Sequence, residues 1–308
     1  MILFRRAALA GSLATLFPGC AVAAGRPLGH DDGPARPAAT ATLKPGDAPR
    51  DVVVPSAAHL SAVPRPDPEP PACPQGMARI DGFCIDRYEA HLVRRGPAGE
   101  ISPYPHFQRP EEGVAYEARS EAGAFPQAYI SRVESEAACA NAEKRLCTRR
   151  EWQRACMGEA HTTYPYGARW EAKRCNAEKQ HLLTLFFGAD PRRWAYAQFN
   201  DPSLDKEPGF LSRSGEYAGC ESDAGVFDLV GNLHEWVSDT ATATVKARLD
   251  SDGTPRGFQY WSPGNGIFMG GFYSTHAELG PGCTFTTIAH EPRYHDYSTG
   301  FRCCADAP

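Results

Sequence analysis

The chain has 308 residues, 42% of them hydrophobic and 22% charged, the balance of an ordinary globular protein able to bury one sizeable core. Its net charge of −5 is spread along the whole length without a basic patch, which argues against nucleic acid as a partner. Eleven cysteines, ten once Cys20 is set apart, point to an oxidising compartment and a disulfide framework.

Residues 1–24 read as an export signal: Arg5 and Arg6 open it, Ala7 to Phe17 is an apolar run too short to span a bilayer, and small residues follow. This predicts a periplasmic or cell-envelope protein. Leu16-Phe17-Pro18-Gly19-Cys20 is similar to a bacterial lipobox, which would lipidate Cys20 and attach the chain to a membrane. Cleavage after Ala23 or Ala24 is the competing reading, and the paired arginines leave the export route open. Residues 25–71 hold eleven prolines and almost no periodic apolar signal, so they cannot bury enough surface to offset their ordering entropy. That stretch reads as a disordered tether, followed by one folded domain over 72–308.

Within the domain, Asp81-Gly82 between two short apolar runs predicts a β-hairpin. Cys73 and Cys84 would face each other across it, a staple worth about 2–3 kcal/mol for so short a loop. Ser131-Arg132-Val133-Glu134 and Thr148-Arg149-Arg150-Glu151 are capping boxes, each opening a helix. The first helix carries Val133, Ala137 and Ala140 on one face; the second turns Trp152, Ala155 and Cys156 inward and stops near Gly158. Beyond Gly167 turns, aromatics and short strands dominate. Two helices in so long a domain predict a loop-rich α+β architecture.

The stretch Asp228-Leu229-Val230-Gly231-Asn232-Leu233-His234-Glu235-Trp236 sets two acids seven apart across a Gly-Asn turn. Carbonyls of Gly231 and Leu233 between them would complete the all-oxygen surroundings that calcium prefers. A solvated turn with two surface acids is the plain alternative.

That stretch, with Val237-Ser238-Asp239, resembles a signature of the sulfatase-modifying factor family, which includes the formylglycine-generating enzymes. Ala142-Glu143-Lys144-Arg145-Leu146-Cys147-Thr148 with Glu151-Trp152-Gln153-Arg154-Ala155-Cys156 is similar to the family's G-K-R-L-x-T-x-x-E-W-E-x-A-C. Met269-Gly270-Gly271-Phe272-Tyr273 resembles its R-G-G-S-W/Y, and Thr299-Gly300-Phe301-Arg302-Cys303 its closing G-F-R-C. The resemblance implies a C-type-lectin-like formylglycine-generating-enzyme fold. It also implies the disulfides Cys139–Cys303 and Cys156–Cys283, and resembles exported members in Cys73–Cys84. Cys147 is then the natural mate of Cys304, and Cys175 is left with Cys220. Asp228, Gly231, Leu233 and Glu235 match one family calcium site. Asn176 resembles the opening ligand of a second, whose acidic partner would be Asp190, Asp201 or Asp205.

The formylglycine-generating enzymes hold copper between two thiolates just after the Gly-Gly motif, and soft thiolates are what monovalent copper needs. By this resemblance Thr275 stands at the first of those positions and Gly280, or a neighbour if the short gap falls earlier, at the second, while His276 matches a family histidine. Cys283, the single cysteine of the window, aligns with the structural cysteine instead. The expectation is therefore a calcium-stabilised, copper-free module without formylglycine-generating activity, binding a peptide, protein or glycan in a loop-lined cleft. The alternative is a metal-dependent oxidase of unknown substrate, with His276, His290, His295 and Asp296 as candidate ligands for non-haem iron.

Overall fold

A computed structural model describes residues 72–251, 261–276 and 282–308. The expected export signal, Cys20, the 25–71 tether and Gly280 lie outside these residues. The Asp81-Gly82 turn, with Asp81 left-handed at φ 50°, joins β1 (Met77–Ile80) to β2 (Phe83–Asp86). β2 pairs on its other edge with the last strand, β11 (Cys303–Asp306), and β11 pairs with β6 (Arg145–Leu146), giving the order β1-β2-β11-β6. The two ends of the domain thus close one sheet.

A second sheet is centred on β7 (His234–Thr240), which runs parallel to β10 (Thr299–Phe301) and antiparallel to β8 (Gly266–Met269), with β9 (Thr286–Thr287) at the edge. His234, Glu235, Trp236 and Val237 are all buried, so both faces of β7 are covered where the acidic turn enters it. The third sheet orders β4 (Ile101–Pro103), β3 (Ala90–Arg95) and β5 (Tyr116–Ser120).

Both capping boxes form. Ser131 caps α1 (Arg132–Asn141) and Thr148 caps α2 (Arg149–Met157), each accepting from the backbone N–H three residues on while the glutamate reaches back. α2 ends at Gly158 with Trp152, Ala155 and Cys156 buried, but α1 departs from the expected orientation. Ser135, Ala138 and Cys139 are its buried residues, while Val133, Ala137 and Ala140 are exposed. The reason is local: Ser135 satisfies its hydroxyl on the Ser131 carbonyl at 2.8 Å, and the Cys139 disulfide draws that face inward. Three more helices, α3 (Leu182–Phe187), α4 (Tyr196–Phe199) and α5 (Ala243–Ser251), lie in the region read as irregular. The architecture remains α+β and loop-rich.

Five disulfides join Cys73–Cys84, Cys139–Cys303, Cys147–Cys304, Cys156–Cys283 and Cys175–Cys220, the pairs expected above. Neighbouring Cys303 and Cys304 send their side chains to opposite faces of β11, as strand alternation requires. Fully buried Trp152 and Trp236 anchor the two main apolar clusters, the first with Ile85, Leu229 and Val237, the second with Leu146, Phe268 and Phe301. No helix among the described residues is long and apolar enough to cross a membrane.

Candidate functional site

The acidic turn is drawn into the interior by a guanidinium. Arg302, 0% exposed, donates from Nε to Glu235 Oε2 and from Nη2 to Glu235 Oε1, both at 2.6 Å, and also reaches the carbonyls of Asp86 and Phe227. Trp152 Nε1 adds a bond to Glu235 Oε2 at 2.7 Å. Glu89, which the sequence reading missed, accepts from the Asn232 amide and, at 3.1 Å, from the Leu233 N–H. Asp228 accepts the Gly215 N–H at 2.6 Å through Oδ2, and its buried Oδ1 has no partner among the described residues. The bland reading of two surface acids is thus overturned: Asp228 and Glu235 are each 1% exposed.

Three buried carboxylates therefore share one buried guanidinium. Fully ionised, the group carries a surplus of two negative charges in a dry interior, which is costly. Burial, reinforced by Asp228 and Glu235, pushes Glu89 well above the carboxylate range. Burial likewise pushes Asp228 up to about 7. A divalent cation would remove the same surplus without protons.

Among the described residues no three carboxylate, imidazole or thiolate groups are placed to hold a metal ion, so an ion here would depend on carbonyl oxygens. Glu235 Oε1 takes one bond from Arg302 and keeps a lone pair. No donor among the described residues reaches the carbonyl oxygens of Gly231 or Leu233. The turn requires glycine here, because Gly231 at φ +84° lies so close to the Asn176 carbonyl that a Cβ would meet it at 2.2 Å.

Asn176 is tied to the same turn. Its Nδ2 donates to Asn232 Oδ1 at 2.8 Å, to Ser212 Oγ and to the Phe210 carbonyl, while the Asn232 N–H donates to the Asn176 carbonyl. None of the three aspartates expected as its acidic partner joins it. Asp190 is paired with Arg192, Asp201 caps Ser203, and buried Asp205 accepts the Tyr273 hydroxyl at 3.0 Å. The side chains of a distant insertion are placed by tertiary packing, which spacing along the chain does not encode.

The Gly-Gly segment docks against both. Gly231 N–H reaches the Gly270 carbonyl and Tyr273 N–H the Asn232 carbonyl. Thr275 turns its hydroxyl back to accept the Phe272 N–H at 3.0 Å, and its carbonyl accepts from Glu178. His276 is exposed beside it. Tyr164, Trp170, Ala177, Thr275 and His276 line a small pocket here, of about 10 Å³ in its described part. Tyr164 and Trp170 have ring centroids 5.5 Å apart, and Arg174 lies 4.8 Å over the neighbouring Tyr166 ring. The candidate iron ligands do not converge on it. His290 stacks on Tyr294 at 3.8 Å, His295 Nδ1 is bonded to Asn200, and Asp296 caps Ser298.

Residues 43–307 match the sulfatase-modifying factor enzyme 1-like domain family. The chain belongs to that family. The match begins within the stretch read as tether. Among curated proteins the chain is similar to the formylglycine-generating enzyme of Mus musculus, 26% identical over 209 residues covering 65% of this chain and 48% of that protein. The Bos taurus enzyme is 27% identical over 188 residues, 59% of this chain and 44% of that protein. The chain thus spans about half the length of the curated relatives it matches. Two solved structures, CarF and PvdO from Pseudomonas aeruginosa, each align over 73% of the chain at 14% identity, with TM-scores of 0.38 and 0.36 and 86% and 80% of their own lengths covered. In this sulfatase-modifying factor domain the arginine of the closing G-F-R-C motif is the central charge of the interior. The motif was visible in the sequence, whereas the partnership with Glu89 joins residues more than two hundred positions apart and had no local signal.

Proposed function

We propose that this is an exported sulfatase-modifying-factor-type binding module without formylglycine-generating activity, which holds a peptide, protein or glycan in the cleft beside Thr275. The observation that carries the reading is the state of the thiols: all ten cysteines from Cys73 to Cys304 are joined in disulfides, and the Thr275 hydroxyl is engaged in its own turn. A hydroxyl does not replace a copper thiolate. Half-buried Trp170, backed by buried Tyr164 at a centroid distance of 5.5 Å, offers the type of aromatic face on which peptide side chains or sugar faces stack. Calcium belongs to the same reading: when bound it would supply a divalent charge, held by the carbonyls of Gly231 and Leu233 with Glu235 and Asp228. The disulfides and the apolar start of the chain support export to the periplasm or envelope, with Cys20 as the residue for a lipid anchor.

The decisive experiment incubates the purified protein with copper, oxygen, reductant and a C-x-P-x-R peptide, and looks by mass spectrometry for the loss that marks aldehyde formation. No conversion is expected. Conversion by the unmodified protein would overturn the reading, and a Thr275→Cys, Gly280→Cys variant tests whether two thiolates restore copper binding.

A further inference from the structure

The second cation position implied by the family, at Asn176, is occupied by a different kind of charge. Lys179, three residues further on, is half-buried and donates from Nζ to the Phe210 carbonyl at 2.7 Å. That same oxygen accepts the Asn176 amide at 2.9 Å. The ammonium lies 5.7 Å from the centroid of the Tyr217 ring; burial lowers its pKa to about 8, and neighbouring Glu216 offsets part of that shift, so the group is charged at neutral pH. A carbonyl oxygen, an aromatic face and a carboxylate nearby are together what attracts a cation. Here the chain supplies the cation itself.

We infer that the Lys179 ammonium takes the place of a second divalent ion, locking the Asn176 loop to the segment carrying Phe210 and Tyr217 with a cation that no chelator can remove. The donor set leaves little alternative. Calcium would need oxygens at about 2.3–2.6 Å, and an ion on the Phe210 carbonyl would sit against a positive charge already there. None of Asp190, Asp201 and Asp205 is bonded to this loop, each having its own partner elsewhere, and the carboxylate that is near, Glu216, interacts with the ammonium itself. Asn176 Oδ1 is buried and has no hydrogen-bond partner among the described residues. The Lys179 backbone is fixed independently, its N–H donating to the Tyr273 carbonyl at 2.9 Å, so the ammonium is delivered by a braced stem and not by a free surface side chain.

The test counts calcium by equilibrium dialysis and elemental analysis on the disulfide-intact full chain, for the wild type and for Lys179→Asp, which exchanges the internal cation for a carboxylate. The variant is expected to bind one ion more than the wild type. Because the readout is the increment, it stands whether the wild type binds one ion at Asp228 and Glu235 or none, so failure of the calcium reading above is distinguishable from failure of this one. Two ions on the wild type, or equal counts for the two proteins, would overturn the inference. Lys179→Gln keeps the stem and removes only the charge; it should lower the melting temperature by several degrees equally in calcium and in chelator. A loss confined to chelator would also overturn it.

Discussion

Arg302 stands at the balance point of the interior, with Glu89, Asp228 and Glu235 on one side and the carbonyls of Asp86 and Phe227 on the other. Removing a partner from a buried ion pair costs far more than the pair contributes, because the abandoned charge stays dry. Arg302→Met is therefore expected to lose about 3–5 kcal/mol in urea unfolding at neutral pH. Glu235→Gln should lose less, since Glu89 and Asp228 still attend the guanidinium. Equal losses would mean that the three acids do not act as one group. The pH dependence follows from the same cluster. Asp228 titrates at about 7 when folded, above its unfolded value near 4, so its contribution is fully present below pH 4 and is lost as pH rises through about 7. In chelator, the wild type should therefore lose stability relative to Asp228→Asn between pH 5 and pH 8, and calcium should diminish that difference. Buried His234, held down to about 3 by desolvation, changes both proteins alike and cancels in the comparison. A difference that grows in the opposite direction would refute the assignment.

At the scale of elements, α2 is the one that connects local sequence to the site. Thr148 and Glu151 cap each other's backbone, Arg145 braces Glu151 at 2.7 Å, and the helix so anchored presents Trp152 to Glu235. Thr148→Ala should cost about 1 kcal/mol, the usual value of an N-cap, and the near-ultraviolet signal of the buried tryptophans should report any shift of Trp152. Thr148→Ser, which keeps the accepting oxygen, should behave like the wild type. In α1 the cap was equally legible, yet the buried face was not. Alanine and valine on one side lose to Ser135, Ala138 and Cys139 on the other because a hydrogen-bonded serine and a disulfide decide the rotation of so short a helix. The six residues of α3 and four of α4 are too few to nucleate alone and exist by packing, which is why no periodicity announced them.

For the whole molecule, the disulfides matter more than any single sheet. Three of them, Cys139–Cys303, Cys147–Cys304 and Cys156–Cys283, close sequence separations of 164, 157 and 127 residues and bind both helices to the last third of the chain. In the chain-entropy account a loop of this length is worth about 4–5 kcal/mol, comparable to the entire stability of many domains. Reduction is expected to unfold the domain at room temperature or to lower its melting point by tens of degrees. Mass mapping of the native protein without reductant should find no thiol between Cys73 and Cys304. A reactive thiol at Cys283 would contradict the bridge and reopen the copper question.

What the sequence determined by itself is whatever short-range chemistry encodes: the Asp81-Gly82 hairpin, the two capping boxes, the family motifs and, through them, the loop-rich α+β class and the cysteine pairs. The same motifs carried the expectation that Thr275 stands where the family's first copper thiolate would be, a reading that rests on resemblance along the chain. Tertiary structure alone decided that Asp228 and Glu235 are buried around Arg302, that Glu89 joins them, and that Lys179 and none of Asp190, Asp201 or Asp205 meets the Asn176 corner. The physical reason is one of range. Turns and caps are set by bonds between residues three or four apart, whereas a charge buried in a low-dielectric interior chooses its partners across the whole chain, wherever folding happens to remove the water between them.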